Sequence, residues 1–440
     1  RLQSGLVNWF DEPRLSVMQS SGETMDAALA ANQAVRMLLS GPAGGVVGAQ
    51  FVAAQSGLTK LMTFDMGGTS SDVALINDRV QLTNRGRIGR YPVAVPMVDM
   101  HTIGAGGGSI ARLDQGGMLL VGPESAGASP GPACYDRGGV EATVTDANLV
   151  LGRIPSASKL GGYLPLSVEK ARQAVQKLAD KMQMSPEEAA QGIIKIANEH
   201  MARALQVISV QKGYDPQEFT LVSFGGAGGL HVCDLAEKLH VKNVLVPVYA
   251  GVLSALGMLA TRPGRQLSQS VIKPLTQFND TQLLSIFDDL AEKAKQALLA
   301  EGHAAEHFTT ACSLDLRYQG QSNALNIEWK NIAQCQLDFH QLHEKRYGHR
   351  LEIEVELVNV RVAVLARGIE FNLAKTDEND EFEESTGNSG DINTFSRAKL
   401  KTGQCITGPA IITETVATTW LAEGWQCQVD EVGNLLLDRH

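Results

Sequence analysis

The sequence KLMTFDMGGTSSDVALI, residues 60–76, contains two apolar runs separated by a glycine-rich turn. One acid, Asp65, precedes the turn and another, Asp72, follows it. Apolar runs of this length that are bounded by turn residues indicate strands. The stretch therefore predicts a strand, a tight loop and a second strand, with a carboxylate at each end of the loop.

The loop between these two acids has the residue types that bind phosphate. Its two glycines let backbone N–H groups crowd around an anion, and the hydroxyls of Thr69 and Ser70 can donate hydrogen bonds to phosphate oxygens. Asp65 and Asp72 can hold a hydrated Mg²⁺, which prefers oxygen ligands. A strand follows and the chain contains no Gly-Lys-Ser/Thr, so the loop is not a P-loop. An ordinary hairpin turn is the alternative interpretation, because glycine and aspartate are common turn formers.

Length and composition narrow the class of protein. The chain has 440 residues, enough for two or three domains, and its 44% hydrophobic and 20% charged residues are typical of a globular protein. A formal charge of −10 argues against nucleic-acid binding, and no apolar run approaches the length of a membrane span. Six scattered cysteines without a C-x-x-C pair favour a reduced, cytoplasmic setting. The chain begins at Arg1 and not at Met, so we expect a fragment of a longer protein.

Strand-like and helix-like segments alternate along the middle of the chain, which indicates an α/β fold. Ser185, Pro186 and Glu188 form a strong helix start, and apolar residues then recur at helical spacing toward Gly213. The later predicted elements are strands at 219–224, 241–246, 312–318, 324–329 and 354–365 and helices at 230–239 and 281–301.

Two glycine-rich segments interrupt this pattern. Residues 26–39 have helix-like spacing, which the glycine turn 40–45 is expected to end before a helix restarts. Residues 104–139 hold eleven glycines, which predicts an ordered loop system in place of regular elements. Long ordered loops are usually functional.

We predict three regions along the chain. Residues 1–60 are the end of a preceding unit with a linker helix region, residues 61–262 are an α/β domain, and residues 263–440 are a C-terminal α+β domain. Within the last region, the acidic and polar stretch 375–392 is expected to be a mobile surface insertion.

A second glycine loop, residues 225–229, lies between a predicted strand and a predicted helix. Such a loop opens a helix N-terminus, where an anion or a flat ring can approach the backbone, although most loops of this kind are structural turns. Its significance comes from its order after the loop 67–70, roughly 150 residues earlier. That order resembles the actin/Hsp70/sugar-kinase ATPase superfamily, in which a phosphate loop is followed by an adenosine loop.

At a finer level the chain resembles the hydantoinase A/5-oxoprolinase family, which includes the nucleotide-binding subunits of acetone-type carboxylases. The resemblance extends over nearly the whole chain. The segments that carry it are 39–49, 65–73, 101–111, 130–135, 143–148, 224–231, 317–321, 343–349 and 408–412.

The chain departs from the family pattern at several positions. The family usually has Thr at Ser71, Pro at Gly229, Ala at Val232 and Arg at Gln206. The largest departure is the first Asp-x-Gly-Gly-Thr loop of the family, which nothing in residues 1–60 matches. We therefore expect the second half of an ATPase clamp followed by a C-terminal domain, and weak ATP binding by this chain alone.

The resemblance implies an actin/Hsp70-like (ribonuclease H-like) ATPase domain that uses ATP and Mg²⁺. In the leading interpretation the protein opens a cyclic amide, of the 5-oxoproline or hydantoin type, by phosphorylating the amide carbonyl oxygen. It works with a hydantoinase B-type partner, which is either a separate subunit or a fused domain. One alternative is the nucleotide-binding subunit of a ketone carboxylase, and another is a non-catalytic nucleotide-dependent switch.

The resemblance also implies roles for individual residues. Asp65 would be catalytic and, with Asp72, would hold the metal. His101, which stands between a strand-like run and the glycine loop, is the candidate that acts on the substrate by donating to a carbonyl oxygen or carrying a proton, and a structural histidine satisfied by the backbone is the alternative interpretation. The predicted nucleotide-binding residues are Gly67, Gly68, Thr69, Ser70, Gly225, Gly226, Ala227 and Gly228. The predicted substrate-side residues are Gly106, Gly107, Gly108 and Ser109.

Three further candidates have ordinary structural interpretations. His231 stands at a predicted helix start, where packing or capping is the more common role. Cys134 is a nucleophile only if its pKa is lowered, and buried cysteines are common. His343, Glu344 and His349 fit the end of an amphipathic helix better than a metal site.

Overall fold

The computed structural model describes residues 5–6, 8–10, 15–83, 86–88, 91–93, 95–374, 387–389 and 392–439. The chain divides into two compact units. The four-stranded unit falls within Arg1–Ala43, Leu82–Val98 and Met258–Phe371, and the nine-stranded unit falls within Gly44–Gln81, Asp99–Gly257 and Asn372–His440.

One mixed sheet organises the nine-stranded unit. The order of its strands is Met100–Ile103, Ser71–Asn77, Lys60–Met66, Thr220–Phe224, Asn243–Val246, Leu435–Arg439, Trp425–Val429 and Cys405–Thr407, with Arg79–Val80 paired to Ser71–Asn77. The three central strands are parallel and the outer pairs are antiparallel. The central strands are almost continuously buried, as expected for parallel strands covered on both faces.

Helices and smaller sheets complete this unit. The helices are Ser40–Gln55, Val144–Val150, Val168–Met182, Pro186–Ile208, Val232–Leu239 and Leu253–Ala260, the first and last of which cross the unit boundaries. The small sheets pair Ser109–Leu113 with Leu119–Ser125, Lys159–Leu160 with Leu164–Pro165, and Gly387–Ser389, Ile392–Ser396, Ala410–Thr413 and Thr418–Leu421 in that order.

The helix predicted from Ser185 begins as expected. Ser185 caps it, Pro186 is its first residue, and Glu188 completes a capping box. The helix ends at Ile208, and a 3₁₀ turn carries the chain to Gly213, whose φ of 80° ends the segment. Together with the parallel central strands, the helices of this unit confirm the predicted α/β fold.

The four-stranded unit is an antiparallel sheet packed against two long helices. Its strands follow the order Gly264–Pro274, Val355–Leu365, Thr309–Tyr318 and Leu325–Glu328, and its helices are Asp280–Ala300 and Ile332–Tyr347. A continuous apolar core joins the helices to the sheet, with Phe287, Tyr318 and Phe339 fully buried in it. The remaining elements are the helix Ala27–Asn32 and the paired strands Ser16–Met18 with Thr24–Asp26, Leu82–Thr83 with Met97–Val98, and Gly86–Ile88 with Tyr91–Val93.

Two glycine-rich segments are more regular than predicted. The predicted helix 26–39 is the helix Ala27–Asn32 with a short 3₁₀ turn, and the glycines after residue 40 belong to the helix Ser40–Gln55 and do not end a helix. Residues 104–139 contain the strands Ser109–Leu113 and Leu119–Ser125. Their connection is closed by the side chain of Asp114, which accepts hydrogen bonds from the N–H groups of Gly116 and Met118.

Residues 263–440 were predicted to form one C-terminal domain, but the structure distributes them between the two units. Leu435–Arg439 pairs with Asn243–Val246, so the described residues after 371 belong to the nine-stranded unit. This pairing joins segments far apart in the sequence, which local patterns do not reveal. The predicted insertion 375–392 lies mostly outside the described residues. Among the helices that the structure describes, none is long and apolar enough to cross a membrane.

Helices Ser40–Gln55 and Leu253–Ala260 approach each other closely at Gly44 and Gly257. A Cβ atom at Gly257 would lie 1.8 Å from the carbonyl oxygen of Gly44. Because the obstacle is backbone, it cannot rotate away as a flexible side chain would. The close approach of the two helices therefore depends on glycine.

The substitution Gly257→Ala tests this contact. We expect it to destabilise the protein by about 1–3 kcal/mol, the usual cost of overpacking. The measurement is the shift of the urea unfolding midpoint. Gly41→Ala is the matched control, because Gly41 lies on the partner helix with no atom within 4 Å of its added Cβ. Equal effects of the two substitutions would contradict the close-packing argument.

Candidate functional site

The hairpin formed by Lys60–Met66 and Ser71–Asn77 places its two acids side by side. Asp65 lies directly opposite Asp72 in the antiparallel register, so both carboxylates project from the same face of the sheet. The hydroxyl of Thr102 donates a hydrogen bond to Oδ1 of Asp72 from the neighbouring strand. The predicted strand–loop–strand arrangement with an acid at each end is confirmed.

The turn between the two acids is accessible. Gly67, Gly68 and Thr69 are exposed and Ser70 is half-buried. The N–H of Gly67 donates to the carbonyl oxygen of Ser70 across 3.1 Å, which closes the turn. The hydroxyl and backbone groups that were predicted to bind phosphate therefore stand at the open edge of the sheet.

The second glycine loop lies against the first acid. Phe224 pairs in parallel with Asp65, so the loop that follows Phe224 leaves the sheet at the same edge. Gly225 has a φ of 79°, and a Cβ there would lie 2.4 Å from Oδ1 of Asp65. The N–H of Ala227 donates to the carbonyl oxygen of Met66 across 3.1 Å. The structure thus brings the two predicted nucleotide loops together, and glycine is required where they touch.

The two acids share an unfavourable electrostatic environment. Burial, together with the negative charge of Asp72, raises the pKa of Asp65 from 3.8 to about 6. Burial also raises the pKa of Asp72, although the hydrogen bond from Thr102 opposes the rise. Two adjacent carboxylates are suited to a divalent metal.

The next question is whether other protein side chains could join Asp65 and Asp72 as metal ligands. Among the described residues, no three or more His, Cys, Asp or Glu side chains cluster at metal-binding distance. Mg²⁺ is usually bound through one or two carboxylates with water and substrate phosphates supplying the rest. Asp65 and Asp72 fit that mode of binding.

The predicted substrate-side glycines lie directly behind the turn. The N–H of Gly107 donates to the carbonyl oxygen of Gly67 across 3.0 Å, and the N–H of Gly108 donates to that of Gly68 across 2.6 Å. A Cβ at Gly106 would lie 2.7 Å from the nitrogen of Thr69. These three glycines are buried, so their observed contacts support the turn.

Ser109 and Thr145 hold the buried glycine segment in place through hydrogen bonds. The hydroxyl of Ser109 is buried and accepts a hydrogen bond from the N–H of Gly106 across 2.9 Å. The N–H and the hydroxyl of Thr145 both donate to the carbonyl oxygen of Gly107, across 2.7 and 2.8 Å. The structure shows Ser109 in a backbone-supporting role, and its predicted contact with substrate stays a prediction.

His101 is not brought beside Asp65. It lies opposite Val73, whereas Asp65 lies opposite Asp72. Successive residues of a strand project to opposite faces, so the side chains of His101 and Asp65 lie on opposite faces of the sheet. The catalytic role predicted for His101 has no support from this geometry and stays a prediction.

His231 is a structural residue, consistent with the more common of its two interpretations. The amide of Asn198 donates to Asp234, so its oxygen accepts from Nδ1 of His231 across 2.7 Å, and the amide of Asn148 approaches Nε2. Burial, reinforced by the charge of Arg153, lowers the pKa of His231 to about 3. The ring is therefore uncharged and its two nitrogens are occupied within the fold.

Cys134 is not set up as a nucleophile. The side chain is fully buried, and this burial together with the charge of Asp146 raises the pKa of the thiol. Asp146 instead accepts hydrogen bonds from the backbone N–H groups of Ala133 and Cys134 and completes the capping box of the helix Val144–Val150, whose N-cap is Thr143. The segment has a structural role.

The histidines near residue 345 belong to an aromatic cluster. Nδ1 of His343 donates to the carbonyl oxygen of His349 across 2.9 Å, and its ring lies 4.7 Å from that of Tyr318. The helix ends at Tyr347, and Gly348 follows with a φ of 78°. The predicted end of an amphipathic helix is confirmed.

The sequence analysis did not assign a role to two residues that support the candidate site. Thr102 bonds to Asp72, and Thr145 holds the glycine segment behind the turn. Thr102 follows the candidate His101, and strand alternation alone would have placed one of the two neighbours on the face of the acids. Thr145 has no comparable signal, because its contact spans 38 residues.

The raised pKa of Asp65 has a consequence for stability. Because folding raises this pKa from 3.8 to about 6, the folded chain binds the proton more tightly than the unfolded chain. The charge of Asp65 thus costs stability above about pH 6 and costs none below about pH 4. A shift of this size corresponds to about 3 kcal/mol at most, and partial exposure reduces it to about 1–2 kcal/mol.

The substitution Asp65→Asn removes this charge with little change of shape. We expect the unliganded variant to exceed the wild type in unfolding free energy by about 1–2 kcal/mol near pH 8, and to equal it near pH 4. Urea titrations at the two pH values measure both. The exposed Asp136→Asn is the control and should change stability by less than about 0.5 kcal/mol. A variant that is no more stable than the wild type near pH 8 contradicts the assigned electrostatics.

Comparison with known proteins adds to this geometry. Residues 3–266 match the sequence model of the family described as Hydantoinase/oxoprolinase. The chain is 34% identical over 444 residues to caprolactamase subunit alpha of Pseudomonas jessenii, covering 94% of this chain and 63% of the relative. It is 32% identical over 430 residues to 5-oxoprolinase of Dictyostelium discoideum, covering 87% of this chain and 33% of the relative.

Solved structures agree with these sequence matches. The ATP-dependent caprolactamase from Pseudomonas jessenii superimposes with a TM-score of 0.87 at 32% identity, covering 97% of this chain and 66% of that chain. Nucleotide-free acetone carboxylase superimposes with a TM-score of 0.73 at 26% identity, covering 97% and 64%. The chain thus spans less than two thirds of the length of the relatives it matches. It belongs to the hydantoinase/oxoprolinase family, as its motifs predicted.

Proposed function

We propose that this chain is the nucleotide-binding part of an enzyme that uses ATP to open a cyclic amide. The observation that carries the proposal is the meeting of two loops at one sheet edge, where Gly225 lies against Asp65 beside the exposed turn 67–70. The names of the relatives, caprolactamase and 5-oxoprolinase, support a cyclic amide as substrate. The ring is not restricted to five members, because caprolactamase is among those relatives.

The arrangement of the loops supports the finer assignment to an actin/Hsp70-like ATPase. A strand hairpin with an acid before its turn is followed by a glycine loop on a parallel neighbouring strand. In this proposal the turn 67–70 binds the β- and γ-phosphates through backbone N–H groups and hydroxyls. Residues 225–228 admit the adenosine at the opening of a helix, where a flat ring can approach the backbone, and Gly226 is the exposed residue of this loop.

The acids have distinct roles in this proposal. Mg²⁺, when bound, neutralises charge on the phosphates. Asp65 and Asp72 are the residues that would hold this ion, and Asp65 would orient the attacking group toward the γ-phosphorus. Asp72, fixed by Thr102, maintains the negative field of the pair. Phosphoryl transfer depends mainly on positioning and charge neutralisation, which this site offers.

The chemistry balances in three steps. The amide oxygen forms a bond to the γ-phosphorus while the bond to the bridging oxygen breaks, and ADP leaves. Water then adds to the activated carbonyl carbon, and the ring C–N bond breaks as a proton moves to nitrogen. A second water releases phosphate from the acyl group. The products are the open amino acid, ADP and phosphate.

A ketone carboxylase is the second candidate. The overlap with acetone carboxylase along 97% of the chain favours it. Such an enzyme would phosphorylate a ketone or bicarbonate at the same nucleotide loops. The word subunit in the name of the caprolactamase relative supports a multi-subunit assembly for either function, with a hydantoinase B-type protein as the proposed partner.

The complete protein with its partner separates the two candidates. ATP consumption is measured with 5-oxoproline, N-methylhydantoin, caprolactam, or acetone plus bicarbonate. We expect turnover with one of the cyclic amides and none that requires bicarbonate. Turnover only with ketone and bicarbonate would overturn the hydrolase proposal and leave the nucleotide site standing.

Asp65→Asn tests the catalytic assignment in the same assembly. We expect kcat to fall at least about 100-fold, because the substitution removes the charge that orients the metal and the attack. The affinity for ATP should fall much less, since the turn 67–70 is unchanged. Steady-state kinetics and calorimetry provide the two measurements.

The outcome is judged against Asp136→Asn, which changes an exposed carboxylate of the same unit and should leave kcat unaltered. Full activity of Asp65→Asn would remove Asp65 from the mechanism. That result would favour a nucleotide-dependent switch over a catalytic subunit.

A further inference from the structure

A groove of about 670 Å³ opens in the four-stranded unit. One side of it is the helix Ile332–Tyr347, and the other side is the segment 350–353, which leads into the strand Val355–Leu365. The lining residues are Gln336, His340, Arg350, Leu351, Glu352 and Ile353. Most of this lining is polar or charged, and the proposed function assigns no role to it.

The ring of His340 presents one nitrogen to this groove. The buried hydroxyl of Tyr318 accepts a hydrogen bond from the N–H of Leu351 across 3.1 Å, so its own hydrogen is donated to Nδ1 of His340, 2.7 Å away. Burial, reinforced by the neighbouring Arg350 and His343, lowers the pKa of His340 and keeps its ring neutral. A neutral imidazole carries its hydrogen on only one nitrogen, which is therefore Nε2. Within the described part of the chain Nε2 has no hydrogen-bond partner, and it is not sealed inside the protein.

The next histidine of the same helix has both of its nitrogens occupied. Nδ1 of His343 donates to the carbonyl oxygen of His349 across 2.9 Å, so its Nε2 accepts from the amide of Gln321 across 3.2 Å. These contacts join the segments 317–321 and 343–349, two of those that carry the family resemblance. The two segments thus form a packed support behind the groove, and the ring that lines the groove is the one with a donor to spare.

Two opposite charges line the groove without pairing with each other. Arg350 and Glu352 are both exposed, and within the residues that the structure describes neither side chain has an ion pair or a hydrogen bond. The charge of Arg350 contributes to the lowered pKa of His340, so the guanidinium acts on the same end of the groove as the Nε2 donor. Leu351 and Ile353 add apolar surface on which the carbon skeleton of a ligand can lie.

We propose that this groove binds an amino acid by its two charged ends. The carboxylate would accept hydrogen bonds from Nε2 of His340 and from the guanidinium of Arg350, which can contact both carboxylate oxygens at once. Gln336 lies one turn before His340 on the same helix face and offers a further amide donor. The ammonium group would donate to the carboxylate of Glu352.

The charges of the lining favour an amino acid over other anions. The carboxylate of Glu352 repels phosphate, whereas a ligand that carries both charges satisfies Arg350 and Glu352 separately. The inference goes beyond the proposed function and does not depend on it, because no residue of the groove belongs to the candidate site. The open-chain products of the proposed reaction are amino acids, which makes them suitable probes.

Five ligands test the two ends of the amino acid separately. Calorimetry on the complete protein with its partner, without nucleotide, measures the dissociation constants of 6-aminohexanoate, L-glutamate, hexanoate, hexylamine and phosphate. Hexanoate lacks the ammonium group of 6-aminohexanoate, and hexylamine lacks its carboxylate. We expect at least one of the two amino acids to bind about 10-fold or more tightly than each of the other three ligands, because each charged end adds a charge-assisted hydrogen bond.

Single substitutions assign this binding to the groove. Arg350→Gln and Glu352→Gln each remove one charge from an exposed side chain, so folding should be undisturbed. Each should weaken the better-bound amino acid at least about 10-fold. Arg346→Gln and Glu344→Gln are the matched controls, because both side chains are exposed near the end of the same helix and do not line the groove. They should bind the amino acid within about 2-fold of the wild type.

A third variant tests the histidine donor. His340→Phe keeps an aromatic ring in the cluster and removes Nε2, so the amino acid should bind at least about 5-fold more weakly. Thermal unfolding of this variant is measured alongside, because the hydroxyl of Tyr318 loses its acceptor. The exposed positions 350 and 352 keep the proposal testable if His340→Phe does not fold.

Three results would overturn the amino-acid site. They are binding of neither amino acid to the wild type, binding of hexanoate, hexylamine or phosphate as tight as that of the amino acids, and unchanged amino-acid binding in both Arg350→Gln and Glu352→Gln. None of them bears on the proposed function, which is tested by ATP consumption and by Asp65→Asn.

Discussion

The parallel pairing of Lys60–Met66 with Thr220–Phe224 is the constraint on which the site depends. It sets Asp65 opposite Phe224, so the acidic turn and the glycine loop leave the sheet at one edge. Ligand sites of α/β sheets commonly form beyond the carboxyl ends of parallel strands. A shift of this register by one residue would turn Asp65 to the other face, away from the glycine loop that follows Phe224.

Glycine makes the next layer of contacts possible. Gly67 and Gly68 accept backbone hydrogen bonds from Gly107 and Gly108, and Gly225 touches Asp65 where any side chain would collide. Backbone therefore packs on backbone, which fixes the turn without occupying its open edge. Burial and the negative charge of Asp72 make ionisation of Asp65 unfavourable, a cost that a bound cation would offset. A site that lowers the folding stability of the unliganded protein in this way is characteristic of ligand binding.

Sequence patterns correctly predicted those elements whose formation depends on residues close together in the chain. The hairpin of residues 60–76 and the helix capped by Ser185 follow from apolar runs, turn residues and capping chemistry. The pairing of Leu435–Arg439 with Asn243–Val246 could not be predicted, because it joins segments almost 200 residues apart. The face of His101 needed the register with Val73, which no sequence pattern contains. The start of helix Ser40–Gln55 was predicted as a turn because its glycines serve close packing, where propensity predicts a break.

The residues of the candidate site account for binding of the phosphoryl donor but not for selection of the acceptor. The turn 67–70, Asp65 and the loop 225–228 account for a nucleotide, and relatives named as hydrolases and as carboxylases both resemble this chain. His101 projects from the face opposite Asp65, and the hydroxyl of Ser109 bonds to the N–H of Gly106. Neither side chain is therefore free beside the acids to recognise a carbonyl compound. In the proposed mechanism, discrimination between an amide and a ketone falls to residues other than these two, whereas phosphorylation of an oxygen is the step common to both chemistries.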